Sequence, residues 1–556
     1  MAKPDDKKLA TEICRRHEAG KAKRAVWDTL AQDIANYVQP RKSEITSVKS
    51  EADQNLNSDI YNQEAIRCNG ILASGQMHWL MEGHWFEYKP PTDDADDAAK
   101  TWYQKATERM YQLFEASNLY TEAHEMFLDR GACPAAQIYV DEDDETLFNF
   151  KACRWGTYWI DQNHRGQVDT VFREEKMSAR NLVDKFGIDN VGKTIREAYE
   201  QDGGKGMDQE FEYIHAVYPR RASERNLKAL DGPNKPIASV YVAKKDKHLI
   251  RNGGYDEMPA LVTRFLKWGD GPYGYCPAID ALPTIRQLNF IEKQLDAGVE
   301  LQVFPRFLYP ADMEGDIDMR ANGGTPFDPN RAAAMPQTWG TEGRLDMCQE
   351  RIASKEELVR KAYMVDLFQM LQQIDGGKMT AYEVAQRVAE KIPNFSPTFK
   401  RLVPEILRPL LLRCFAIAFR AGEFEDPPES VMIPNGDGTV SLAVPKVALT
   451  SKLALSIKND ENNALMNLMQ IWAGVAEVIG TDVFDNLNKD EAFRGNMDNL
   501  GIPARWKIPT QDRDAIRQQR AKEQQMAQAA QLAQMAGKTA KDMAGADPAV
   551  KKAVGM

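Results

Sequence analysis

The residue types best suited to chemistry are scattered along this 556-residue chain rather than gathered into a motif. Gly203-Gly204-Lys205-Gly206 comes nearest to a phosphate-cradling loop. It lacks the hydroxyl residue after the lysine and the apolar helix that should follow, so it reads as a flexible turn. The seven histidines are too dispersed for a recognisable metal set, and no His-Glu-x-x-His pair occurs. Asp316 and Asp318 could nominally hold a divalent ion, but two aspartates in a Gly-rich loop are ordinarily just solvated. Neither a Gly-x-Ser-x-Gly elbow nor a cysteine with a histidine partner is evident. These absences point away from an enzyme and imply no cofactor and no metal.

Charge narrows the partners. The formal net charge is −11. A protein that grips nucleic acid must neutralise phosphates with clustered Lys and Arg, so the sign argues against a tight binder. It leaves open a wall that nucleic acid slides past, because like charge reduces sticking. The seven cysteines (14, 68, 133, 153, 276, 348 and 414) have no C-x-x-C spacing and read as reduced thiols in a cytosolic setting. The N-terminus is charged, without the apolar core of a signal peptide. The most apolar stretch, 407–419, is interrupted by Arg408 and Arg413 and is too short to span a bilayer. A soluble protein with no membrane partner is expected.

The elements that would position a site follow from periodicity. Residues 6–38 form a helix with Trp27, Leu30, Ile34 and Tyr37 on one face, ended by Pro40. Helices follow at 59–81, 97–117 and 120–130, with a strand-like alternation at Trp85–Tyr88. From Ala135 the period becomes two. A hairpin with an acidic tip is expected at 137–151, and strands at 157–161, 168–174, 210–218, 239–244 and 260–266, interrupted by a short helix at 179–186. Trp79, Trp85, Phe86, Trp102 and Phe114 read as core packing rather than a binding platform. The class is α+β, predominantly helical.

A helical order stands out between Tyr273 and Phe419. A first long helix, 277–303, begins at Pro277 and is about 40 Å long. A Gly/Pro-rich excursion, 304–344, leads to a second helix over 345–371, then a Gly-Gly turn, then a third helix that begins near Thr380 with Glu383 completing a capping box. Pro393, Pro397, Pro404 and Pro409 predict that this third helix is bent. Charges on the second helix alternate in sign, which suits neighbouring helices better than DNA. Strands at 430–433, 440–444 and 453–457 and helices near 461–479 and 489–498 precede an Ala/Gln-rich helical tail from Asp512. The tail's thin apolar face suits bundling with copies of itself. Taken alone, the Gly376-Gly377-Lys378 turn reads as an ordinary interhelix loop ahead of a contact for a passing polyanion.

Several segments, in order and spread over most of the chain, resemble the head-to-tail connector, or portal, family of short-tailed, T7-like bacteriophages. They are Trp27 with Tyr37-Val38-Gln39-Pro40; Leu72-Ala73-Ser74-Gly75 with Trp85-Phe86; Ser117-Asn118-Leu119-Tyr120; Asp169 to Arg173; Tyr273-Gly274-Tyr275-Cys276-Pro277 with Leu282-Pro283 and Leu288-Asn289; and Thr380-Ala381-Tyr382-Glu383-Val384 with Pro397 and Leu407-Arg408-Pro409-Leu410. Cys276 stands where serine is common in this pattern, and Tyr382 where a small polar residue is usual.

The resemblance implies a portal-type fold in a ring, normally of twelve subunits, at one capsid vertex of the virion, assembled in the host cytoplasm. Residues 1–276 would be wing, 277–303 the first stem helix, 304–344 clip, 345–371 the second stem helix and 372–380 a tunnel loop. Residues 381–459 would be the kinked helix and return to the wing, 460–509 crown and 510–556 a barrel helix with a flexible tail. Gln372, Gln373, Asp375, Gly376, Gly377, Lys378 and Met379 would then line the DNA channel, with Lys378 as a weak phosphate contact. Implied partners are double-stranded DNA, the terminase packaging motor, tail adaptor and nozzle proteins, and major capsid, scaffolding and internal core proteins. A terminase would need a nucleotide loop and an acidic nuclease site, and neither is visible. A tail adaptor or an internal core protein is the remaining alternative.

Overall fold

The computed structural model describes residues 4–40, 60–92, 96–201, 204–226, 229, 231–304, 306–308, 337–339, 345–374, 397–434, 440–450, 489–499, 508 and 510–544. Helices α1 (Pro4–Val38) and α2 (Glu64–Met81) come first, then strand β1 (Phe86–Lys89) and helices α3 (Asp97–Ala116) and α4 (Leu119–Ala132). Strands β2 (Ala136–Asp143), β3 (Leu147–Cys153), β4 (Tyr158–Gln162) and β5 (Val168–Ser178) lead to α5 (Ala179–Phe186) and α6 (Lys193–Tyr199). After β6 (Glu210–Pro219), β7 (Ile237–Ala243), β8 (His248–Tyr255) and β9 (Ala260–Thr263), the small ladder of β10 (Leu266–Lys267) and β11 (Gly274–Tyr275) delivers the chain to α7 (Pro277–Val303). Then come β12 (Arg306–Leu308), β13 (Gln337–Trp339), α8 (Leu345–Ala362) and α9 (Val365–Ile374). A π-turn (Val403–Leu407) opens into α10 (Arg408–Arg420), followed by β14 (Met432–Pro434), β15 (Val440–Leu442), β16 (Lys446–Leu449), α11 (Lys489–Asn499) and α12 (Thr510–Ala544).

The chain divides into two compact units. The first holds residues 1–87, 106–425 and 447–458. Its centre is a five-stranded antiparallel sheet in the order β4-β5-β6-β7-β8. Side chains alternate across the pleat, so the sheet has two apolar faces. On one, Trp159, Phe172, Ile214 and Val240 pack against Ala10, Ile13 and Cys14 of α1. On the other, Phe211, Tyr213 and Tyr241 pack against Leu182, Phe186 and Ile195 of α5 and its surroundings. A three-stranded sheet, β3-β2-β9, lies in the same unit. The expected hairpin there is longer than its apolar residues suggest: Asp141, Glu142 and Asp143 are paired with Asn149, Phe148 and Leu147.

The aromatic residues are core, as their spacing predicts. In the first unit Trp85, Phe86 and Phe114 are fully buried, with Trp85 and Phe86 ring centroids 4.7 Å apart. Each such ring contributes roughly 1.5–3 kcal/mol. Trp79 and Trp102 are buried too.

Three expectations need correction. The buried stripe of α1 is Ala10, Ile13, Cys14, His17, Arg24, Ala31, Ile34 and Val38, whereas Trp27, Leu30 and Tyr37 are only half-buried. An apolar count misses this face because Arg24 belongs to it. Its guanidinium donates to Tyr158 O and lies 4.2 Å from the Trp159 ring centroid. Strand β8 and helix α6 are present without having been expected; β8 carries Gly253 and Gly254, which weaken a strand signature. The helix read as continuous over 345–371 is broken, for the reason given below. The expected strand at 453–457 and the helix at 461–479 lie outside the described residues, as does most of 304–344.

The second unit holds residues 88–105, 426–446 and 459–556. Within it Tyr103 donates its hydroxyl hydrogen to Ala443 O at 2.8 Å, and Ser430 Oγ to Asp96 at 3.0 Å. α11 is tied to α12 by Asp490, which pairs with both Arg517 and Arg513. Met526 and Leu532 of α12 are exposed.

Candidate functional site

The expected channel residues fall at the end of α9 and beyond it. Gln372 and Gln373 are in its last turn, where the backbone is described. Asp375, Gly376, Gly377, Lys378 and Met379 lie outside the described residues, as do Thr380 and Glu383. What the structure gives is how the two flanks of that segment are held.

The upstream flank is a helical hairpin. The ladder of Arg306 with Trp339 and Leu308 with Gln337 joins the far ends of α7 and α8, which pack side by side. Pro277 begins α7, where a missing N–H costs little, and the helix passes through Pro283 without ending. A knot of polar groups fixes the hairpin's base. Asn289 Oδ1 accepts from the backbone N–H groups of Tyr61 and Asn62, at 2.7 and 3.2 Å. Asn62 Nδ2 donates to Glu292 on α7 and Glu356 on α8. Arg360 on α8 donates to Glu64 at 2.6 Å, and Arg67 donates to the same carboxylate. Burial would raise the Glu64 pKa, but hydrogen bonds from Arg67 and Arg360 hold it below the ordinary carboxylate value.

α8 ends at Ala362, and the turn that follows contains Met364, whose φ of 55° is in the left-handed region that non-glycine residues seldom occupy. No Gly or Pro marks this break. It is imposed by burial on either side of it, since Tyr363, Val365 and Phe368 are almost wholly buried. Phe368 lies on α2 at Gly75, where a Cβ would stand 2.6 Å from Phe368 Cγ. Glycine at position 75 is therefore required for this seating.

The downstream flank resumes at residue 397 as a helix. Thr398 is buried, and its carbonyl accepts from Arg130 Nη2 at 3.0 Å. The expected bend appears as the π-turn Val403–Leu407, which contains Pro404; Pro409 sits in the first turn of α10. The turn aims Glu405 at β9 and its neighbour. Glu405 accepts from Thr263 Oγ1 (3.1 Å), Arg264 N (3.0 Å) and Arg264 Nη2 (2.8 Å).

Sequence reading missed one convergence. A cavity of about 590 Å³ is lined by His78 of α2, His84 of the following turn and His124 of α4. His78 pairs with Glu82, and His124 Nε2 lies 3.4 Å from Ser74 Oγ. Among the described residues no three His, Cys, Asp or Glu side chains are placed to hold a metal ion. No described helix is long and apolar enough to cross a membrane.

The described residues thus build a sheet domain, a helical hairpin and a kinked helix. The sequence model of the family "bacteriophage head to tail connecting protein" matches residues 10–507, and the chain belongs to that family. It is 25% identical over 556 residues to the portal protein of Salmonella phage epsilon15, covering 98% of this chain and 96% of that one. It is likewise 25% identical over 562 residues to the probable portal protein of Bordetella phage BPP-1, covering 100% and 98% respectively. Three residues of the segments quoted above have physical roles in the described structure: Asn289 at the hairpin knot, Gly75 under Phe368 and Pro277 at the start of α7.

Proposed function

We propose that this protein is the portal of a bacteriophage virion: a ring at one capsid vertex through which the genome is packaged and later leaves. The full-length likeness to the two phage portal proteins carries the reading. The stem hairpin supports assembly. Phe290 of α7 and Phe304, which follows its last turn, are 64% and 73% exposed, and Val303, Met347 and Leu358 are exposed on α7 and α8. Apolar side chains on a slender hairpin leave water when neighbouring subunits close a heterologous ring. A twelve-fold ring fits the family.

In this reading residues 372–379 line the channel and the net charge of −11 per chain keeps DNA from adhering. Lys378 makes a weak, salt-sensitive phosphate contact. The surface at 304–344 docks the packaging motor, and later the tail adaptor and nozzle proteins. Capsid, scaffolding and core proteins surround the ring, which hydrolyses nothing and needs no cofactor. The α12 helices gather into a barrel. Mass measurement in solution with end-on electron micrographs tests the ring: a particle near twelve times 62.8 kDa with a central hole is expected, and a monomer at micromolar concentration would overturn it.

A further inference from the structure

Two adjacent residues of α2 hold the two flanks of the segment 375–396. Gly75 seats Phe368, which fixes α9 on the upstream side. Gln76 Oε1 accepts from Arg130 Nη1, and Arg130 Nη2 donates to Thr398 O at 3.0 Å on the downstream side. Arg130 and Gln76 are both fully buried. The Arg130 guanidinium lies 5.0 Å from the Phe265 ring centroid, and its Nε has no hydrogen-bond partner among the described residues. A charged group kept in such a place needs its few acceptors, so its geometry is tightly specified. Met364 adds to this: its left-handed backbone persists because the surrounding burial dictates it.

We propose that Gly75 and Gln76 form one clamp, with Phe368 and Arg130 as its two jaws, and that these four are positioning residues for α9 and for the helical residues 397–402. Because both jaws close on consecutive residues of one helix, a displacement of α2 is transmitted to α9 and to residues 397–402 together. The role of the clamp in DNA passage rests on the channel reading above; the clamp itself does not.

The experiment is hydrogen exchange read by mass spectrometry on the full-length assembled protein. Gly75→Ala pushes Phe368 off α2 and is expected to raise exchange at least tenfold in α9 and also in residues 397–402. Arg130→Met starts from the other jaw and is expected to loosen the same two places. Arg130→Lys, which keeps one donor group, should fall between wild type and Arg130→Met. If each variant loosens only its own flank, or neither flank changes, the shared clamp is wrong. Should Gly75→Ala fail to fold, Phe368→Leu carries the same comparison. DNA retention in particles is measured alongside: coupled loosening with wild-type retention establishes the clamp and overturns its role in the channel.

Discussion

Asn118 binds Phe150 as an added strand would. Its Nδ2 donates to Phe150 O at 2.8 Å while its Oδ1 accepts from Phe150 N at 2.9 Å. β3 is an edge strand of its sheet, so this side chain satisfies two backbone groups that the ladder leaves unpaired. Replacing Asn118 with Ala should cost about 1–3 kcal/mol, and Asn118→Asp should cost a comparable amount because only the acceptor survives. Chemical denaturation of the purified protein checks this. An unchanged midpoint in both variants would mean that water replaces the amide without loss.

The exposed apolar residues of the α7–α8 hairpin give a prediction about assembly. Phe290→Asp combined with Val303→Asp replaces two exposed apolar side chains on the surface of α7 with charges. Rings should give way to monomers or small oligomers in analytical ultracentrifugation, while circular dichroism stays native. Wild-type rings from the double variant would remove both side chains from the subunit interface.

Buried histidines predict an acid limit to stability. His17 and His215 are almost wholly buried, and burial pushes both below the ordinary histidine pKa; for His17 the nearby Glu174 opposes the shift, and for His215 Arg173 adds to it. A folded state that keeps them neutral binds fewer protons than the unfolded chain. Their contribution is therefore present above the unfolded pKa of about 6.5 and is lost as pH falls below it. Burial would raise Glu175, but Arg173 and the Tyr213 hydroxyl hold it at about 2, so its own contribution fades only at more acidic pH. The denaturation midpoint should drop between pH 7.5 and 5.5. His215→Gln should flatten that drop, and a parallel curve would assign the pH dependence elsewhere.

The loop carries the functional prediction. Lys378→Ala should weaken DNA retention in particles, more visibly at low salt than at high, and deletion of Gly376 and Gly377 should reduce packaging. Both variants at wild-type levels in both assays would take the channel role away from 372–379. Charge reversals within 304–344, with ring mass unchanged, should abolish binding of the purified motor or adaptor. Intact binding would place docking elsewhere.

Much of this architecture can be read from the chain because its signals are local. Pro277 and the regular apolar spacing mark α7, the change to period two marks the sheets, and prolines mark the bend before α10. The features that support the loop are not local. Nothing in Tyr363-Met364 announces a break; Phe368 reaching Gly75 on another helix produces it. Arg24 sits in the buried face of α1 because acceptors and rings 130 or so residues away complete it, as Tyr158 O and Trp159 do. Gly75 was visible as part of a family segment, but its purpose was not. The residues proposed to line the channel stand on the resemblance; Gln372 and Gln373 end α9 and the rest lie outside the described residues.

The π-turn at Val403–Leu407 has a consequence for phase. A π-turn accommodates one residue more than an ordinary helical turn, and one residue is worth about 100° of rotation. The helix before the turn and α10 after it thus present faces whose angular offset is set inside those five residues. Glu405, pinned to Thr263 and Arg264, indexes that offset to the sheet. The turn works like a keyed coupling on a shaft: the helix before it and the sheet domain can each drift in sequence, and the angle between them stays as it was cut.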